Sequence, residues 1–337
     1  MLNGQPPIEQ DGNTRQTFCM DFGGSPQYAA FSGSPALQIS ETLRKQLGRR
    51  LAPNESAGLT QGEAMLIDGV MLMWFALTAL SVLFVAIDIR STPEHPVMKW
   101  AFVLFTAYSG PFGAFLYVLG CREPLPGLHE QYVSARWRQT LGSTMHCVAG
   151  DGIGILVGAV FGALVALPMA ADLALEYMLG FLFGWTIFQA LAMGEMFSSY
   201  ARSLKGTFTS ELLSMNCLMG GMMPVSAIAF AGDPAAHNPT EPLFWFRMSL
   251  ALMFGAALAY PMNWWLVAHH LKHGMLTVRP KGEAGGMPGM KMEEKKKMAA
   301  SSGQAINAPS PPVWVMGLVS FAVLAIGATI ALTFGGR

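Results

Sequence analysis

Charge is scarce in this chain: Asp, Glu, Lys and Arg make up 12% of its 337 residues, against roughly a quarter in a soluble domain. With a hydrophobic fraction of 52% beside it, that scarcity excludes a water-soluble globule and points to the bilayer. Cysteine is sparse too. Cys19, Cys121, Cys147 and Cys217 show no Cys-x-x-Cys spacing, so a disulfide framework is not expected. The chain has no P-loop, no dinucleotide glycine motif after a strand, no Gly-x-Ser-x-Gly elbow and no long-period repeat, which leaves soluble-enzyme chemistry without a foothold. Residues 1–15 contain no apolar h-region, so no cleaved signal peptide is expected. The formal net charge of zero names no partner, and nucleic acid is not expected as one.

Long apolar runs are what the chain has instead. Seven reach the roughly 20 residues that cross about 30 Å of hydrocarbon: residues 65–88, 97–119, 143–169, 173–197, 210–230, 244–268 and 313–334. The expected fold is therefore all-α and integral to the membrane, with seven transmembrane helices and the lipid bilayer as first partner. Alternating the loops across those seven spans puts 17 of the 21 Lys and Arg on one side, leaving Arg90, Lys99, Arg247 and Arg337 near the other. The positive-inside rule then predicts a cytoplasmic N-terminus and an outer C-terminus in a bacterial cytoplasmic membrane.

The third span carries His146, Cys147 and Asp151 at its start, followed by Gly150, Gly154, Gly158 and Gly162. Glycine at every fourth residue makes one smooth helical stripe, which lets a neighbouring backbone approach closely where packing has to drive association. His146 falls on that stripe one turn earlier, and Cys147 and Asp151 form the adjacent row. An imidazole, a thiol and a carboxylate are thus aimed into the bundle, and ionisable groups at depth are functional candidates. On the seven-span topology, Gln189, Met193, Glu195 and Met196, then Glu211, Met215, Asn216, Cys217 and Met219, then Asn263, His269 and His270 reach similar levels. Imidazole, thiolate, carboxylate and thioether together suit a late first-row metal and lean toward copper(I). The expected metal residues are His146, Cys147, Asp151, Glu195, Cys217 and Met215. Ordinary packing competes with each, since a Met stripe or a membrane cysteine is more often a gap-filler than a ligand.

The flanks differ from the bundle. Leu43, Leu47 and Leu51, set among Arg44, Lys45, Arg49 and Arg50, predict a basic amphipathic helix on the lipid surface within an extension over residues 1–64. Two helices are expected over 65–119, a four-helix domain over 140–273, a flexible Gly-, Lys- and Glu-rich linker over 274–312, and a tethered helix over 313–337. Met287, Met290 and Met292 resemble copper(I) clusters, but their expected cytoplasmic side, where thiols compete for copper, argues against that use.

The stretch from about residue 140 to 273, with His146-Cys147-Val148-Ala149-Gly150-Asp151, the glycine-rich helix and His269-His270, resembles the bacterial domain of unknown function DUF4396. The resemblance implies a four-helix integral membrane domain and no established activity. Three readings follow from the residues. One is a protein that binds or moves a transition metal, copper favoured. Another is a non-catalytic accessory subunit gripping other membrane subunits through the glycine stripe. Last comes a haem or quinone subunit, for which paired deep histidines are lacking. Asp151 and Glu195 also suit a proton relay.

Overall fold

The structure is a computed structural model that describes residues 61–125, 127–190, 199–233, 237–275 and 311–335. Glu195, the basic segment around Leu43 to Leu51, the Met287, Met290 and Met292 cluster and most of the expected linker lie outside the described residues. The described elements are helical: α1 Gln61–Asp88, α2 Pro96–Ser109, α3 Pro111–Gly120, α4 His129–Val133, α5 Arg136–Leu164, α6 Met169–Leu182 continuing as a π-helix Phe183–Gln189, α7 Tyr200–Phe230, α8 Pro242–Ala268 and α9 Val313–Phe334. Six of them, α1, α5, α6 with its π continuation, α7, α8 and α9, are long and apolar enough to cross a bilayer.

The expected span over residues 97–119 is not one helix. It breaks into α2 and α3 at Gly110, whose φ of 59° is open to glycine and strained for other residues. Pro111 next to it lacks an N–H and disfavours helical geometry in the residue before it. The two arms fold back on each other, so that a Cβ on Gly113 would come within 2.5 Å of the Thr106 backbone, and the Phe102 and Tyr117 rings lie 5.7 Å apart. At the bend, a Cβ on Gly110 would sit 2.6 Å from the Thr78 hydroxyl, close to Trp74.

The far end of the hairpin returns to Asp88. Tyr117 donates to its carboxylate at 2.8 Å and Arg122 grips it with two bonds of 2.9 and 3.0 Å. Thr78 stands ten residues before Asp88, or ~15 Å along a helix, about half of the hydrocarbon thickness. The pair is a helical hairpin whose bend lies level with the middle of α1. Its turn leaves no backbone stranded at depth: Gly110 N–H donates to Thr106, and Gly113 and Ala114 donate to Gly110.

The expected third span also shifts. α5 begins at Arg136 and stops at Leu164, with Ala166 at positive φ and Pro168 opening α6. These two helices pack antiparallel. A Cβ on Gly150 would lie 2.8 Å from Phe188, one on Gly154 would overlap the Leu179 carbonyl, one on Gly158 would lie 2.9 Å from the Glu176 backbone, and one on Gly162 would overlap the Asp172 carboxylate. Successive glycines therefore meet successive turns of α6. α7 and α8 complete the core, α9 lies along α7, and α1 lies mainly against the hairpin. Gly335, just past α9, packs beside Met169 and Ala227. The end of α9 and the start of α1 consequently share the face opposite Asp88.

Candidate functional site

Three helices and the segment after α8 converge in the half of the bundle nearest Asp88. α5 brings Cys147 and Asp151 one turn apart, α7 brings Glu211 and Ser214, α8 brings Asn263, and Lys272 reaches in from beyond the end of α8. None of these side chains is more than 5% exposed. The Cys147 Sγ lies 3.2 Å from Asp151 Oδ2, 3.5 Å from Glu211 Oε1 and 3.1 Å from Ser214 Oγ. Ser214 donates to Asn263 Oδ1 at 3.1 Å, and Lys272 Nζ donates to Glu211 Oε2 at 3.2 Å. Cys147, Asp151 and Glu211 each offer a ligand atom, all within 4.8 Å of one another.

The cluster is rich in acceptors. One thiol proton faces three acceptors, while Asp151 Oδ1 and Asn263 Nδ2 have no hydrogen-bond partner. Unsatisfied groups at that burial are costly, and two carboxylates against one ammonium leave a negative charge that a proton or a metal cation would balance. Lys272 stays charged here. Burial opposes its ammonium, but Cys147, Glu211 and Asp151 around it outweigh that and hold its pKa above the ordinary lysine range.

A backbone feature makes room for the pair. Gly184 sits in the π-helical stretch of α6, and a Cβ there would overlap Asp151 Oδ1 and come 2.7 Å from Glu211 Oε1. A π-helical turn is rare and frequently found at functional places. Here it presents bare backbone to two carboxylates.

The structure separates the residues that the sequence grouped. Cys147 and Asp151 are together. His146 points one row away, edge-on to Phe188 at 5.8 Å, with Nε2 buried and unpartnered. The Met215 methyl lies against Gly180 of α6. Cys217 shares its helix face with Leu213 and Gly220, which meet Gly317 and Val323 of α9. Glu211 and Asn263 were at the right depth in the sequence without being singled out. Ser214, Gly184 and Lys272 were missed, and Lys272 gave no signal beyond an interfacial positive charge.

Further along the bundle, Tyr177 donates to Asn216 Oδ1 at 2.7 Å and Asn216 donates to Ser320 at 3.2 Å, joining α6, α7 and α9. Beyond them, buried Glu176 and partly buried Asp172 line a cavity of about 530 Å³ with Phe230, Asp233 and His237 at the opposite end.

No curated protein and no solved structure matches this chain. Residues 136–272, the stretch that runs from the start of α5 to Lys272 and contains the whole cluster, match the family described as Domain of unknown function (DUF4396).

Proposed function

We propose that the protein is a multi-pass membrane protein that binds a divalent transition-metal cation on Cys147, Asp151 and Glu211 and passes it through the bundle. The observation that carries this is the acceptor-rich, buried trio with Lys272 at 3.2 Å from one of its carboxylates. A tethered ammonium that a metal can displace offsets part of the negative charge when the site is empty and opens it on loading. One thiol with two carboxylates is a borderline donor set, suited to zinc, iron or manganese. Copper(I) would call for the sulfurs of Met215 and Cys217, which face other helices, so copper is no longer the favoured ion. Tyr177, Asn216 and then Glu176 with its cavity offer oxygen donors on the way to the far face. The glycine stripe of α5 supports this reading by bringing α6, and with it Gly184, against the carboxylates.

Orientation belongs to the same proposal. Among the described residues, Arg90, Lys99, Arg122, Arg136, Arg138, Arg202, Lys205 and Lys272 stand at the Asp88 end, and Arg247 stands at the other. By the positive-inside rule the Asp88 end faces the cytoplasm. The start of α1 then faces outward, the reverse of the expectation from seven unbroken spans, because the hairpin removes one crossing.

The test is the metal content of the full chain purified in detergent without chelators, wild type beside Asp151→Asn and Cys147→Ser, by inductively coupled plasma mass spectrometry. Near one equivalent of metal is expected to be lost in both variants. Equal content in all three proteins would overturn the proposal.

A further inference from the structure

The hairpin carries a second trio of donors, outside the matched family region and independent of the cluster above. Glu94 comes from the loop before α2, Cys121 from the end of α3 and His129 from the start of α4. All three are essentially buried, at 3%, 0% and 0% exposure. Their ligand atoms lie within 4.8 Å of one another, with His129 Nε2 3.5 Å from Glu94 Oε1. Metal–ligand bonds of about 2.0–2.3 Å put neighbouring ligand atoms of a tetrahedral zinc site roughly 3.5 Å apart. The Glu94–His129 separation already has that value. The Cys121 carbonyl, which accepts from His129 Nε2 at 3.0 Å, is a fourth donor within reach once that nitrogen exchanges its proton for the metal.

Charge and position agree with that geometry. A thiolate, a carboxylate and a neutral imidazole carry two negative charges, which one divalent cation cancels in a buried place. The supporting loop is fixed: Glu123 Oε1 accepts from the backbone N–H groups of Gly127 and His129 at 2.7 and 3.2 Å. The three donors also come from the two open ends of the hairpin and the segment that follows, so one ion would tie together what Gly110 folds back.

We propose that Glu94, Cys121 and His129 bind a structural zinc ion that closes the open end of the helical hairpin. The site differs from the α5–α7 cluster in place and in use: it holds its ion, and it has an imidazole where the other has a second carboxylate.

The experiment uses the full chain in detergent, stripped with chelator and reloaded with zinc or with cobalt(II) as an optical probe. Cys121→Ser and His129→Ala are expected to lose one equivalent of zinc, and Cys121→Ser the near-ultraviolet thiolate-to-cobalt band that belongs to this site. Cys147→Ser is expected to keep the zinc and the band of this site while it loses the metal of the α5–α7 cluster. Zinc should also raise the melting temperature of Cys147→Ser, and that of Cys121→Ser by less than that of wild type. If the Cys121→Ser chain does not fold, the Cys147→Ser chain decides alone: a thiolate–cobalt band there supports the proposal and its absence overturns it. A Cys121→Ser chain that folds and keeps the full band also overturns it. Because Cys147→Ser removes the transport site, failure of one proposal is distinguishable from failure of the other.

Discussion

Two buried clusters in this molecule each combine one thiol with carboxylate, and they differ in what balances the charge. Around Cys147, Lys272 supplies an ammonium 3.2 Å from Glu211. Around Cys121, the neighbour is His129, 3.5 Å from Glu94 and charged only when it holds a proton. The first cluster is neutralised in part before any metal arrives, so a metal must compete and can leave again. In the second, Lys99 acts on Cys121 but its ammonium is bonded to the Arg90 carbonyl, and the imidazole that faces Glu94 becomes a ligand itself when a metal enters. A counter-ion on a side chain therefore separates a place of exchange from a place of retention.

The sharpest way to break the comparison is Gly184→Ala. A methyl group at that position overlaps the Asp151 carboxylate, and overpacking of this kind costs about 1–3 kcal/mol. Metal at the Cys147 cluster should fall by at least tenfold in affinity while zinc at the Cys121 cluster stays, both read by equilibrium dialysis. Loss at neither or at both would remove the distinction.

Lys272→Met tests the counter-ion itself. Breaking a buried pair from one side costs about 3–5 kcal/mol, so the metal-free variant should melt well below wild type. Added zinc should then raise its melting temperature more than that of wild type, since the ion replaces the missing charge. The pH dependence has a definite sign. Because the Lys272 pKa is raised in the folded state, its contribution is complete below the ordinary lysine value of about 10.4 and declines as pH climbs toward the raised one. Wild type should lose stability over that alkaline window, and Lys272→Met should lack this component.

The smallest effect belongs to Asn216→Ala, which cuts the bonds to Tyr177 and Ser320. Side-chain hydrogen bonds in membranes average about 0.6 kcal/mol, so its melting temperature should fall by a few degrees at most with both metal contents intact. A slowed metal flux in liposomes without altered binding would place Asn216 on the path between Glu211 and Glu176.

Legibility in the sequence followed range. Residues 65–88, 210–230, 244–268 and 313–334 announced themselves as spans because crossing hydrocarbon demands some twenty apolar side chains in a row, and the His146 to Asp151 motif with the glycines after it was enough to suggest the family. Cys147 and Asp151 could be paired because four residues make one helical turn. Their partners could not be named. Glu211 and Lys272 lie 60 and 121 positions from Asp151 in the sequence, and no periodicity links residues on different helices. His146, Met215 and Cys217 share the depth of the cluster, but helix rotation turns them to Phe188, Gly180 and the α9 face.

Composition by itself determined that this chain lives in a membrane and builds from helices, since backbone groups in hydrocarbon must be satisfied within the segment. Whether residues 97–119 cross was decided in three dimensions, by a Gly110-Pro111 bend that folds one apolar run back toward Asp88. The tertiary structure likewise decided which polar groups meet, because side chains distant in the chain become neighbours through the angle and rotation at which whole helices pack.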